Sequence, residues 1–384
     1  MKKEFLLSLT FLSISMFLGV KAQTLTATLQ QGETMTPFYG ENAFIEAYEA
    51  ASDGDVITLS SGNFHTVGKI EKQVKIIGNG FYRGETYIDY KNVLFYGTGG
   101  SWVTTSLLIT ADNVEIEGIK FRYIDLYNTN NVHISNCWIE NLKQCGTHTN
   151  TIIESCVIWK DSSLGKSDNC SYRNTLVCYF DNLNSKETPA FFSNCLLLHY
   201  YDYYCVEEGN IIRNYDSPYG VFNNCLLGVR HYSYADVDLT GYVNYWQGFC
   251  RNAQTKSVAG QEYHKNAFFL YPYKFEKNSS GNWNEILCED LLTMIIYNPP
   301  TDNYSPLLNA LFKTNYVGSS ESFLWQKVKT DISYKGMDGT CVGIYGGSGF
   351  SDYSSIPHII ESTIESDTDS NGKLSVKLKV SVNQ

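Results

Sequence analysis

Charge, proline and basic runs are all scarce in this sequence, and each shortage closes off a class of protein. Only 18% of the 384 residues are Asp, Glu, Lys or Arg, while 14% are aromatic. A disordered chain has the opposite balance, so this one folds, and it is long enough to bury a sizeable core. With 8 prolines against 30 glycines, collagen and Pro-rich linkers are excluded. The net charge is −11 and no basic run offsets it, which argues against nucleic acid or an anionic membrane as the main partner. The 7 histidines form neither H-x-x-x-H nor H-E-x-x-H, and the 11 cysteines include no C-x-x-C, so no zinc site is expected. What the chain does have in excess is tyrosine, 29 residues against 20 Phe and 6 Trp, the mark of a wet aromatic surface.

The first segment reads as an address. Lys2 and Lys3 precede a mostly apolar stretch from Phe5 to Val20, and Val20-Lys21-Ala22 fits a small-x-small cleavage site ahead of Gln23. Residues 1–22 are therefore expected to be a signal peptide, with an N-terminal membrane anchor as the other reading. Nothing later reaches about 18 uninterrupted apolar residues, so no membrane span is expected after signal removal. No Cys precedes Cys137, which excludes a lipid-modified Cys at the cleavage site.

In an exported chain an odd cysteine count suggests disulfides and one spare thiol, but the placement suggests something else. The segments ISNCWI (134–139), IESCVI (153–158), YRNTLV (172–177), FSNCLL (192–197) and FNNCLL (222–227) share one pattern: apolar, polar, polar, small, apolar, apolar. Their fourth positions are 19, 19, 20 and 30 residues apart, and VEIEGIKF (114–121) aligns with VHISNCWI (132–139) at a step of 18. Self-similarity near twenty residues with one β-rich unit per step marks a solenoid. Leucine-rich repeats need a dense Leu frame and a helical half, and neither is present. The strands can instead stack in parallel, like residue over like residue, about 4.8 Å apart. Cys137, Cys156, Cys195 and Cys225, with Thr175 in the same slot, are then expected to form an interior column. Asn136, Asn174, Asn194 and Asn224 are expected beside it at a turn, their amides bonding up and down the stack; Ser155 replaces Asn once.

The ends fit the same architecture. Asn42–Ala51 has helical character, with Phe44, Ile45, Tyr48 and Ala51 on one stripe, and can cap the open end. It leads into SDGDVITLSSGNF (52–64) and KIEKQVKIIGNG (69–80). This order of helix, A-x-x-GD-x-I-x-L-x-x-G-x-F and V-x-I-x-G-x-G resembles the opening of right-handed parallel β-helix proteins of the pectin-lyase-like class. YSPLLNAL (304–311) through GMDGTCVGIYGG (336–347) resembles the closing coils of that class. Residues 356–380 read as a β-hairpin around Ser370-Asn371-Gly372 and resemble the C-terminal tails of exported Bacteroidetes β-helix proteins. The expected fold class is thus all-β: a right-handed single-stranded parallel β-helix over residues 23–350, with a short capping helix at about 42–51. Irregular inserted loops are expected at about 233–292 and a hairpin tail at 351–384. The resemblance further implies a protein that is secreted, periplasmic or on the outer surface of a Gram-negative bacterium.

Relatives of this fold that cut polysaccharides use recognisable residues, and their signatures are missing: there is no N-T-D, G-H-G, R-I-K, D-F-I-F-G or pair of adjacent Asp. The resemblance therefore carries over no catalytic residue. It implies Ca²⁺ only if the chain is a lyase; otherwise no cofactor and no metal ligand is expected. Asp53-Gly54-Asp55 falls at a turn, and Gly346-Gly347-Ser348-Gly349 is not followed by a helix, so neither reads as a ligand site.

The residues themselves offer one candidate surface. Leaving the Cys column, each strand ends in Glu140-Asn141-Leu142-Lys143, Trp159-Lys160-Asp161, Tyr179-Phe180-Asp181, His199-Tyr200-Tyr201-Asp202 or Val229-Arg230-His231. Stacked coils would bring these to one side. Lys160, Asp161, Asp181, His199, Asp202, Arg230 and His231 are the candidate catalytic residues, and Tyr179, Tyr200, Tyr201 and Tyr232 the candidate substrate-binding residues. Such a mix suits a glycan partner, with rings stacking on aromatic faces and charged forks bonding hydroxyls or carboxylates. Ordinary solvated turns would give the same neighbours. The sequence thus leaves open a polysaccharide-binding protein at or outside the cell surface, and a polysaccharide lyase or glycoside hydrolase acting on a complex glycan.

Overall fold

A computed structural model of the chain describes residues 25–80, 86–89, 107–163, 166–181, 190–206, 210–214, 220–233, 262–264, 266–277, 283–287, 293–296, 335–350, 358–368 and 374–381. The expected signal peptide, the 304–311 segment and the 370–372 turn lie outside these residues.

Each coil begins with a short strand such as His133–Ser135 or Ile152–Glu154, in which only the middle residue faces inward. A left-handed corner follows, at Asn136, Ser155, Asn174, Asn194 and Asn224, with φ between 46° and 54°. Asn tolerates this region better than other non-glycine residues, which explains its recurrence there. After the corner comes the small slot residue, and then a longer strand such as Trp138–Cys145. Short strands stack parallel in register within an 11-stranded sheet whose edge strands Thr26–Gln31 and Thr34–Tyr39 pair antiparallel, and long strands belong to a 14-stranded one. Strands Thr147–Thr149 and Lys166–Asp168 form a third face. The chain is a right-handed parallel β-helix, with one helix among the described residues.

That helix, α1 (Ala43–Ala50), buries Ala43, Phe44, Ala47 and Tyr48 over the first coils. Ile45, expected on the stripe, is only half-buried. Lys72 closes the end of α1: its Nζ donates to the carbonyls of Tyr48 (2.8 Å), Glu49 (3.0 Å) and Ala51 (2.7 Å), where a cation complements the unsatisfied carbonyls.

The core is a set of vertical columns. Ile116, Ile134, Ile153, Tyr172, Phe192 and Phe222 form one, all buried, and its aromatic half stacks nearly face to face at 4.7 and 4.9 Å. The Cys column is interior, as expected. Cys137, Cys156, Cys195 and Cys225 are wholly buried thiols, and each donates to the carbonyl two residues earlier. Thr175 makes the same bond at 2.8 Å. The column continues past the irregular stretch, where Asn266 takes the slot after Cys225. Its Oδ1 accepts from Cys225 N (2.6 Å) and its Nδ2 donates to Phe222 O (2.7 Å).

Two expectations shift. The amide ladder runs along a different corner, through Asn113, Asn131, Asn150 and Asn169, whose φ values are 55–56°. Nδ2 of Asn131, Asn150 and Asn169 each donates to Oδ1 of the Asn one coil below, at 3.0, 3.1 and 3.3 Å, and Asn113 Nδ2 donates to Gln73 Oε1 at 3.2 Å. The second shift concerns residues 336–347. They do not stack as a closing coil but lie along the first Asn corner as a strap. Asn174 Nδ2 donates to the carbonyls of Ile344 (2.9 Å) and Gly346 (2.6 Å), and Met337 N donates to Asn224 Oδ1 (2.7 Å). Cys341, Val342 and Ile344 of the strap are buried. Strands His358–Thr368 and Leu374–Ser381 pair antiparallel, as the hairpin reading requires. Among the described residues no helix is long and apolar enough to cross a membrane.

Candidate binding face

The long strands turn a corner midway, and the corner decides which side chains reach solvent. In Trp138–Cys145, Ile139 and Leu142 are buried while Glu140 and Asn141 between them are not. The pairs Arg122-Tyr123 and Trp159-Lys160 occupy the same position in adjacent coils. Two successive outward residues in each of these three coils, stacked at strand spacing, build a continuous outer face.

That face is aromatic and charged. Trp159 and Tyr179 meet edge to face, with ring centroids 5.3 Å apart. Lys160 stands between Asn141 and Tyr179 in the register. From two coils earlier, Lys120 Nζ lies 5.0 Å above the Trp138 ring of the intervening coil, and Arg122 lies 5.4 Å from the Tyr123 ring. Arg122 also pairs with Glu140 at 3.4 Å. Asp125, Lys143, Ser162 and Asp181 form the next column in register. Such a surface can stack sugar rings on indole and phenol faces and bond hydroxyls with its charged edges.

Asp161 takes no part in it. It shares the inward slot of Leu142, and its side chain is completely buried. The corner at Trp159-Lys160 puts it on the opposite side from its sequence neighbours. Inside, Tyr172 donates to Asp161 Oδ2 at 2.6 Å, Gln144 Nε2 donates to the Tyr172 hydroxyl at 2.7 Å, and the Cys170 thiol donates to Gln144 Oε1 at 3.7 Å. Asp161 Oδ1 has no hydrogen-bond partner. Loss of hydration pushes the Asp161 carboxyl up to about 7, against the lowering effect of the Tyr172 and Gln144 bonds. Burial likewise pushes the Cys170 thiol to about 12 and raises the Tyr172 phenol.

The other candidates lie on strands of the long sheet. Asp202 is opposite Arg230, which is opposite Tyr271; Tyr201 is opposite Val229. His231 pairs with Tyr203 and Pro272, and Tyr232 with Tyr204 and Tyr273. His199 and Tyr200 fall in the irregular stretch between Leu197 and Tyr201, where the register shifts. The backbone thus brings Lys160 beside Tyr179, and Asp202 beside Arg230. Arg122, Tyr123 and Trp138 were not singled out from the sequence. For Arg122 and Tyr123 the signal was the two-residue gap between inward apolar positions, repeated at 140–141 and disguised at 159–160 by the inward Asp161.

Among the described residues no group of three or more His, Cys, Asp or Glu side chains is arranged to hold a metal ion. No family model, no curated protein and no solved structure matches the chain.

Proposed function

We propose that this is an exported β-helix protein that binds polysaccharide, at the cell surface or outside the cell, along the outer face of its long strands. The Trp159–Tyr179 pair beside Lys160 carries the reading. Two aromatic rings held by neighbouring coils offer a rigid stacking platform, and the adjacent ammonium supplies a donor at its edge. Export rests on the Lys2-Lys3 and Phe5–Val20 pattern. Membership of the pectin-lyase-like class rests on the opening motif, whose residues build α1 and the first coil, and its exported Bacteroidetes form rests on the resemblance of the 356–380 tail.

The test is a glycan-array screen followed by titration of the best ligand against Trp159→Ala and Tyr179→Ala. Loss of one stacking contact is expected to weaken binding by roughly tenfold, equivalent to about 1.4 kcal/mol. Unchanged affinity in both variants sinks this face as the site. The pairing of Asp202 with Arg230 favours a second reading, a lyase or glycoside hydrolase. Reducing-sugar and unsaturated-product assays on the same glycans decide it: product that disappears in Asp202→Ala establishes an enzyme.

A further inference from the structure

The Cys column offers chemistry that glycan binding does not use. Its members alternate between paired and interrupted. Val157 N donates to Cys137 O at 2.9 Å, which sets Cys156 directly over Cys137; Leu226 N donates to Cys195 O at 2.8 Å, which sets Cys225 over Cys195. Thr175 occupies the level between the two pairs. Each cysteine therefore has one cysteine neighbour at strand spacing. Cys156 and Cys195 are two levels apart, beyond the separation of about 7 Å that a disulfide can span. Adjacent levels of about 4.8 Å fall within its usual Cα range of about 4.4–6.8 Å. All four thiols follow the same left-handed corner and are buried in the lumen, and closing a pair draws its Cβ atoms in from strand spacing to about 3.5–4.5 Å. The sulfurs also sense one another: after burial, Cys156 is the next cause raising the Cys137 thiol, and Cys195 the next raising Cys225.

We propose that this column closes as two interior disulfides, Cys137–Cys156 and Cys195–Cys225, when the chain folds against a disulfide oxidant. The thiolate of one cysteine attacks the oxidant's disulfide, forming a mixed disulfide and releasing one thiol. The thiolate of the stacked neighbour then displaces the second thiol. Each pair gives up two protons and two electrons, and one oxidant disulfide becomes two thiols. Burial disfavours the thiolate in the finished stack, so exchange runs while coils are being laid down. The completed bonds are then sealed from reductant. Each closure replaces two thiol-to-carbonyl bonds with a covalent link between successive coils. Cys145, Cys170, Cys178 and Cys341 are thiols as well. Cys145 stands over Tyr127, and the register sets Cys170 over Thr151 and Cys178 over Trp159. None of these stacks on a cysteine, so they serve as internal controls.

The test refolds the reduced full chain in a mixture of reduced and oxidised glutathione, then denatures it without reductant, labels it with iodoacetamide and maps its peptides. The expected map links Cys137 to Cys156 and Cys195 to Cys225, with label on Cys145, Cys170, Cys178 and Cys341. Label on all four column cysteines, or scrambled links among them, overturns the proposal. In Cys156→Ser, Cys137 becomes labelled while Cys195–Cys225 stays linked; label on Cys195 and Cys225 in that variant overturns the independence of the pairs.

Discussion

At the scale of single residues, the interior of the solenoid holds a carboxyl group that the coil pattern would have filled with an apolar side chain. Leu142 below and Phe180 above occupy the same slot as Asp161. The carboxyl lies against Tyr172 and Gln144, with the Cys170 thiol bonded behind them. With its folded value near 7 against an ordinary 3.8, Asp161 is protonated in both folded and unfolded chains at low pH. Its contribution to stability is complete there and is lost as pH climbs from the ordinary value through the folded one. Three units correspond to a loss on the order of 4 kcal/mol. Asp161→Asn keeps an acceptor for the Tyr172 hydroxyl and removes the titration. Urea unfolding at about pH 5 and about pH 8 is expected to show the parent weakening at the higher pH and the variant holding. Equal slopes would refute it.

The Asn ladder gives a second prediction at this scale. Asn150 has φ of 55° and bonds both neighbours in its column. Asn150→Gly loses two exposed hydrogen bonds but keeps a backbone that glycine adopts freely. Asn150→Ala loses the bonds and adds left-handed strain of about 1–2 kcal/mol. Thermal unfolding is therefore expected to rank parent, then Gly, then Ala. Both features were written in the sequence. Asn113, Asn131, Asn150 and Asn169 recur at steps of 18, 19 and 19, but the conspicuous Cys beside the other corner drew the ladder there.

At the scale of elements, the corner in the long strands separates what was readable from what was not. Strand register followed from the repeat, because identical slots demand identical environments. The side each residue faces after the corner did not follow from simple alternation, which fails where two outward residues come in succession. The strap was invisible for another reason: it repeats nothing, and its side-chain partners in the coils lie 113 to 174 residues away. Its fit depends on glycine. A Cβ on Gly346 would sit 1.8 Å from the Cys341 carbonyl and 2.3 Å from Asn194 Nδ2. Gly346→Ala is thus expected to lift the strap. Amide exchange should quicken across 336–349 and stay unchanged in the coils around Ile116 and Ile134, which lie two or more coils from Asn174. Uniformly faster exchange would mean that the strap holds the whole fold rather than its own stretch.

At the scale of the molecule, a solenoid is held by nearest neighbours, each coil resting on the last. This is why the fold could be read from period alone, and why the thread was lost after Cys225. The next slot comes 41 residues later and is filled by Asn266, which satisfies through its amide the backbone groups that Thr175 satisfies through its hydroxyl. The physical requirement at that corner is a small polar group able to bond both levels, and a search for cysteine alone passes over it. The strap breaks the nearest-neighbour rule. It joins the C-terminal part of the chain to the coils of Asn174 and Asn224 directly. A pull on the C-terminal hairpin would therefore enter the stack at those two coils, shared between two asparagines. Like a cable clamped partway along a mast, the strap determines where tension enters the described coils.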